Sequence, residues 1–300
     1  MQRFDLRLLL IPLLGLPLLV FTLERTATSA DDPVARGFGP QSNAIGPDDR
    51  TAPASCLAKD LLFNYEQKRF GHTREVPIWR FPNGNAFFFA SGMTIDADGA
   101  PNAYNADNTG LDDLANAGAP GHWEGILQDK DGNPLVQGPG DPFPGYYISC
   151  TSLADWSKPP NDPARYVDAS KIPYIVLPGE MARQAGARPG DLAVVVNIEN
   201  GSYSYAIFAD VGTLGEGSVA LANNLGISSD ARHGGSWWGV LYLVFPGSGD
   251  HRPKSIDEID QSAHQLLADR GGLEKLNACA KDTPRPARPP FARDERSGSR

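Results

Sequence analysis

Two carboxylates near residue 210 have the types and spacing for paired acid and base chemistry. Asp210 follows the apolar run 205–209, which is rich in aromatic and β-branched residues and too short for a helix, so a buried strand is predicted. Glu216 comes six positions later, in a glycine-rich turn. Carboxyl groups held at the edges of rigid elements suit proton transfer on a glycosidic bond. The alternative is structural, since such residues also form turns and interact with helix dipoles.

The segment after Asp210 contains the signals needed to position Glu216. Gly212, Gly215 and Gly217 give the backbone conformational freedom. Ser218 has the type and position of an N-cap for a short helix over 219–225. The sequence therefore predicts a strand, a tight turn and a helix.

Further carboxylates follow another predicted strand, 86–93. Asp96 and Asp98 would accept ammonium or hydroxyl donors from a sugar, although a plain turn explains them too. They also resemble the start of a calcium loop, but its later oxygen ligands and closing glutamate are missing. Asp112 and Asp113 belong to a polar segment, 102–113, that suits polyol recognition or an ordinary surface loop. We predict that all four carboxylates contact substrate.

Aromatic side chains are the second kind of candidate ligand for a sugar. Tyr205 and Trp237 are predicted to bind substrate, the alternative being ordinary packing. The three cysteines lack CxxC spacing and the five histidines are scattered, so no metal site and no cofactor is predicted. A serine-hydrolase elbow is missing, and a thiol nucleophile would need Cys150 beside a histidine. One disulfide and one remaining cysteine are expected, with the pairing left open.

Composition indicates a secreted protein. Two arginines precede the apolar run 8–23, and small residues follow, so 1–30 is predicted to be a signal peptide and the location extracellular or periplasmic. Residues 31–54 are predicted to be a flexible leader, 55–281 a single domain and 282–300 a disordered, proline-rich tail. The formal net charge of −9 disfavours a nucleic-acid partner and suits a cationic one. No stable membrane insertion is expected after leader removal, and a monomer is expected.

Many short apolar runs separated by Gly, Pro, Asn and Asp predict a mainly β domain, best explained as a closed barrel with a few peripheral helices. One of the predicted strands is 145–149. Helices are predicted over 58–68, 178–185 and 255–280, the last divided at Gly271-Gly272.

Two elements in this order resemble glycoside hydrolase family 75, the fungal-type endo-chitosanases. They are Met93-Thr94-Ile95-Asp96-Ala97-Asp98-Gly99 and the strand-Asp210, turn, Gly215-Glu216-Gly217-Ser218 element, within a similarity over 63–245. The resemblance implies a double-psi β-barrel, inversion at the anomeric carbon, and Asp210 and Glu216 as the catalytic pair. Ala97 stands where a family variant has cysteine, which suggests a distant, bacterial-like branch.

The sequence hypothesis is a secreted endo-hydrolase of β-1,4-linked glucosamine polymers such as chitosan. Asp210, after a buried strand, is the better candidate for a raised pKa and the acid role, and Glu216 near a helix N-terminus suits the base role. Two alternatives stay open. One is a wall-polysaccharide binding module without turnover, and the other is a peptidoglycan-cleaving barrel enzyme with a lone catalytic Asp.

Overall fold

A computed structural model describes residues 60–69, 72–283 and 285–286. The predicted signal peptide 1–30 and leader 31–54 lie outside the described residues, as does most of the predicted tail 282–300. Within the described ranges, no helix is both long and apolar enough to span a bilayer.

Ten strands and four helices make up the described chain. The strands are β1 Leu61–Arg69, β2 His72–Arg80, β3 Phe87–Asp96, β4 Gly118–Ala119, β5 His122–Trp123, β6 Tyr174–Leu177, β7 Leu192–Asn197, β8 Tyr203–Val211, β9 Glu216–Ser218 and β10 Ser236–Phe245. The helices are α1 Gly179–Ala185, α2 Val219–Asn224, α3 Ile256–Ala268 and α4 Gly272–Asp282. Two short 3₁₀ helices, Leu114–Ala117 and Pro163–Arg165, lie in the long segment between β3 and β6.

Six strands close into a barrel in the order β3-β10-β7-β8-β6-β9, and pairing of β9 with β3 completes the ring. The β6–β8 and β3–β9 pairs are parallel, and the other pairs are antiparallel. The β1–β2 hairpin extends the sheet beyond β3. The predicted mainly β fold with a barrel core and a few peripheral helices is confirmed.

The barrel strands bury side chains on both faces. Helices α3 and α4 contribute Ile259, Ala263 and Leu276 to one buried cluster, which we assign to the outer face because these helices and the long segment between β3 and β6 are together too much chain for the interior of a six-stranded barrel. The other, inner cluster is formed mainly by strand residues such as Phe89 and Phe208, and α1 and α2 also contribute to it. We call these the outer and inner clusters. Residues 97–169 also contribute to the outer cluster, so this long segment covers the outer face of the barrel.

Local signals correctly predicted the helix boundaries in the second half of the chain. The Ser218 hydroxyl accepts a hydrogen bond from Leu221 N at the start of α2, as its N-cap position predicted. Gly271 and Gly272 both have positive φ, and they separate α3 from α4. A capping box at Ser255 begins α3.

Two predictions for other elements were wrong. Residues 58–68 were expected to be helical, but β1 occupies Leu61–Arg69 and pairs antiparallel with β2. Phe63 and Tyr65 pack against the inner cluster while Asn64 and Glu66 are exposed, so the real period is two. The predicted strand 145–149 forms only isolated bridges, such as Ile126 to Ser149.

The described cysteines agree with the expectation of one disulfide and one remaining cysteine. Cys279 in α4 is fully buried and disulfide-bonded, and Cys150 is a free thiol. Cys56 lies outside the described residues.

Candidate active site

Asp210 and Glu216 lie on either side of one barrel strand. Val176 in β6 pairs with Asp210 in β8 and with Glu216 in β9. Residues directly opposite each other in a sheet share a face, so the two carboxylates point to the same side as Val176. Two strand spacings separate the backbones, roughly 9 to 10 Å.

A β-bulge turns Asp210 toward the outer face of the barrel. Ile175 pairs with Phe208, but the next residue of β6, Val176, pairs with Asp210, so Ala209 is an extra residue in β8. Without the bulge, alternation would place Asp210 on the side of Phe208, in the inner cluster. With it, Asp210 lies on the side of Val176, under the long segment between β3 and β6.

The Asp210 carboxylate accepts its hydrogen bonds through one of its two oxygens, Oδ1. Its Oδ1 accepts hydrogen bonds from Ser152 N at 2.9 Å, Ser152 Oγ at 2.6 Å and Val211 N at 2.8 Å. No donor in the described part of the chain reaches Oδ2. Asp210 is 9 % exposed, and this burial raises its pKa although the three hydrogen bonds oppose the shift. The carboxyl is therefore oriented with Oδ2 available for chemistry.

Glu216 is positioned by the tight turn that precedes it. Its Oε2 accepts a hydrogen bond from Thr213 N at 2.9 Å. A Cβ at Gly212 would lie 3.0 Å from that same oxygen, so the turn needs glycine there. Gly215 has φ +83°, and a Cβ on it would lie 2.7 Å from Ser91 Oγ. Glu216 lies within β9 rather than ahead of the helix in a loop.

Asp96 and Asp98 stand beside this pair. Asp96 ends β3 and pairs with Ser218 of β9. Thr94, two residues earlier on the same face of β3, pairs with Glu216, so Asp96 and Glu216 share one face of the sheet. Asp96 Oδ1 accepts a hydrogen bond from Asp98 N at 2.8 Å.

The electrostatics show that the four carboxylates form one cluster. Burial raises the pKa of Asp96 well above its usual range, and the charges of Asp98, Asp210 and Glu216 add to the shift. Burial also raises the pKa of Asp98, to which the charge of Asp210 contributes next. Within the described residues, no group of three or more His, Cys, Asp or Glu has metal-binding geometry.

Tyrosines that sequence reasoning did not assign hold Asp98. The Tyr104 hydroxyl donates to Asp98 Oδ1 at 2.7 Å and lies 3.3 Å from Asp112 Oδ2. The Tyr174 hydroxyl donates to the main-chain oxygen of Asp98 at 3.0 Å. A Cβ at Gly125 would lie 2.5 Å from the Asp98 carboxylate, so the chain passes close behind it. Tyr104 stands inside the polar segment that the sequence singled out, whereas Tyr174 gave no signal beyond its strand.

The remaining predicted substrate contacts are more scattered. Asp112 is buried, and this burial raises its pKa, whereas Asp113 caps a 3₁₀ helix by accepting a hydrogen bond from Ala115 N. Trp237 lies in β10, which flanks β3 on the side away from β9, and it packs on the outer cluster with the Arg285 guanidinium 5.2 Å from its ring centroid. The structure thus brings Asp112 to the cluster through Tyr104.

Tyr205 is not brought to the carboxylates. Its hydroxyl shares a 2.8 Å hydrogen bond with His264 Nδ1 on α3. It precedes Asp210 by five strand residues, roughly 16 Å. Its predicted role in substrate binding stays a prediction.

Thiol chemistry is disfavoured at this site. Burial raises the pKa of Cys150 to about 12, and the nearby charges of Asp98 and Asp210 contribute. A thiol that stays protonated at neutral pH is a poor nucleophile.

The geometry is therefore a cluster of four carboxylates, Asp96, Asp98, Asp210 and Glu216, at one place on the barrel. No significant match was found among curated proteins. A family model described as fungal chitosanase of glycosyl hydrolase group 75 matches residues 93–270, which include the whole carboxylate cluster and more than half of the 300 residues. The chain therefore belongs to glycoside hydrolase family 75.

Proposed function

We propose that this protein is a secreted endo-chitosanase that cleaves β-1,4-linked glucosamine polymers by inversion, acting as a monomer. The observation that carries the proposal is the placement of Asp210 and Glu216 on either side of Val176. An inverting pair needs about 6.5 to 9.5 Å between carboxyl groups so that a water fits, whereas a retaining pair needs only about 5 to 5.5 Å. The backbones of the pair are two strand spacings apart, which leaves room for a water between the carboxyl groups and so supports inversion.

The substrate class follows from the charge of the carboxylate cluster. Asp96 and Asp98 lie beside the catalytic pair, and Tyr104 links Asp98 to Asp112. Buried carboxylates that repel one another are costly unless a cation neutralises them. The ammonium group of glucosamine is such a cation, and an N-acetyl group is not. This supports a deacetylated polymer as the substrate.

The roles of the pair follow from their surroundings. Asp210 is the general acid, because burial raises its pKa and its Oδ2 is the oxygen left to carry the proton. Glu216 is the general base that activates water, held by Thr213 N.

A substrate with an activated leaving group tests these roles, since its departure needs no protonation. D210N should still cleave it, and azide should rescue E216A on it by taking the place of the activated water. Cleavage of this substrate by E216A without azide, together with azide rescue of Asp210→Ala, would exchange the two roles.

The purified chain should be incubated with chitosan, chitin and peptidoglycan, and new reducing ends counted. We expect release from chitosan, with D210N and E216Q each reducing the rate by about 10²- to 10⁴-fold. Glu274→Gln, on the exposed surface of α4, is the control for loss of one charge and should be fully active. Peptidoglycan cleavage lost only in D210N would favour a lone-Asp enzyme. Binding without products would indicate a binding module.

A further inference from the structure

A cavity lies beside the turn that holds Glu216. Its volume is about 510 Å³, and its walls include Tyr65 of β1, Glu180 and Gln184 of α1, and Gly212 and Thr213 of the turn. Thr213 is the residue whose N–H binds Glu216. The cavity and the carboxylate cluster therefore share a wall.

One side of this cavity is an open strand edge. β1 pairs only with β2 among the described strands, and its residues 64–68 line the cavity consecutively. An unpaired edge presents backbone N–H and C=O groups to whatever lies beside it. These groups suit the hydroxyls of a sugar chain.

Tyr65 and Glu180 give the cavity its specific chemistry. Tyr65 is half-buried, and its pKa is raised by burial and then by the charge of Glu180, so the two side chains lie near each other. Within the described chain, neither the Tyr65 hydroxyl nor the Glu180 carboxylate has a hydrogen-bond or ion-pair partner. Glu66 also lines the cavity, but Lys68 neutralises it at 3.3 Å. An aromatic face beside an unpaired carboxylate matches the apolar face and ammonium group of glucosamine.

We propose that this cavity is a distal subsite for one glucosamine unit of the same polymer, with Glu180 pairing to the ammonium and Tyr65 contacting the sugar ring. The inference rests on the proposed function. Glu180 lies in α1, beyond the end of β6, and none of the four clustered carboxylates lines the cavity, so the subsite is separate from the scissile bond. It would therefore select for longer chains.

The test compares glucosamine dimers with oligomers of six or more units. Binding is measured by calorimetry in the catalytically inactive D210N background, and product lengths are measured with chitosan in the otherwise wild-type chain. E180Q and Y65A should weaken binding of the long oligomers roughly threefold and shift the chitosan product lengths. Dimer affinity should not change. Y65F should resemble the parent, and E274Q is the matched charge control.

Long-oligomer affinities and product lengths equal to those of E274Q would overturn the subsite while leaving chitosan cleavage intact. Failure of the wild-type chain to cleave chitosan would instead refute the proposed function. The subsite would then be judged on oligomer binding alone, and equal affinities in E180Q and E274Q would refute it as well.

Discussion

The buried acidic cluster lowers the free energy of unfolding at neutral pH, because its carboxylates are desolvated and repel one another. Asp96 and Asp98 are held beside Asp210 and Glu216, and mutual repulsion adds to desolvation in raising the pKa values of Asp96 and Asp98. A carboxyl with a raised folded-state pKa contributes stability below its unfolded pKa and loses it as the pH rises through the folded value. At neutral pH the cluster therefore destabilises the unliganded fold.

Asp96→Asn should stabilise the protein at pH 7. The asparagine Oδ1 can still accept the hydrogen bond from Asp98 N, while the buried charge disappears. We expect the free energy of unfolding to rise by on the order of 1 kcal/mol at pH 7. The gain should vanish below about pH 4, where the wild-type carboxyl is protonated in both states. Urea unfolding at the two pH values measures this, and an equal effect at both would contradict the account.

Ser152 should act as a positioning residue for Asp210. Ser152→Ala removes the 2.6 Å hydrogen bond to Oδ1, which favours the ionised form. The pKa of Asp210 should rise further, so the alkaline limb of the pH–rate profile should move to higher pH. The rate constant kcat should fall by roughly 10- to 100-fold, because the bond to the carboxylate that forms in the transition state is charge-assisted and worth about 1.5 to 3 kcal/mol.

Ser157→Ala is the matched control for this prediction. Ser157 makes the same pair of hydrogen bonds, from N and Oγ, to the surface carboxylate of Asp155. Its loss should leave the pH profile unchanged. A shift in both variants, or in neither, would show that Ser152 does not tune Asp210.

At the scale of elements, the β1–β2 hairpin supports the turn before Glu216 from outside the region matched by the family model. Gln67 in β1 is 2 % exposed, and its Nε2 donates to Leu214 O at 2.5 Å. Arg74 in β2 donates to Gln67 Oε1 at 2.8 Å and to Ser91 Oγ at 2.9 Å. A buried amide is retained only when its partners satisfy it, so this network fixes the turn that carries Thr213.

Gln67→Met tests the brace with a side chain of similar size. Removing the amide leaves Leu214 O buried without its donor, which should cost about 1 to 3 kcal/mol in stability. We also expect kcat to fall more than KM changes, since the turn positions Glu216 rather than the ground-state substrate. Gln265→Met, which removes an exposed hydrogen bond to Asp269 on α3, should do neither. An unchanged kcat in Gln67→Met would contradict the positioning role.

Sequence reasoning succeeded where a local signal decides the structure. The Ser218 cap and the Gly271-Gly272 break follow from neighbouring residues, and they set the ends of α2, α3 and α4. It failed for β1, where pairing with β2 outweighed an apparent helical spacing. Nothing local predicts the bulge at Ala209, because the bulge depends on register with β6.

For the site, too, the sequence indicates the residues that belong to short local motifs but not the partners that are distant along the chain. Asp210, Glu216, Asp96 and Asp98 belong to motifs that are short in sequence. Ser152 contacts Asp210 across 58 positions, and the Tyr174 hydroxyl reaches Asp98 across 76, so only the folded chain reveals these partners.

For the whole molecule, barrel closure fixes the relative positions of the two proposed catalytic residues. The β9 strand pairs with both β3 and β6, so Glu216 lies beside Val176 of β6. Asp210 lies beside Val176 on the opposite side, in β8. The separation of the carboxyl groups is therefore built into a closed sheet rather than a mobile loop. The net charge of −9 also suits the polycationic substrate proposed above.

The anomeric configuration of the first products tests this account most directly. Proton NMR of the newly formed reducing ends, recorded early in chitosan hydrolysis, distinguishes α from β anomers before they equilibrate. The separation across Val176 predicts the α anomer, because water attacks opposite the β linkage. Initial formation of the β anomer would contradict the account, since it requires a carboxylate close enough to form a covalent intermediate.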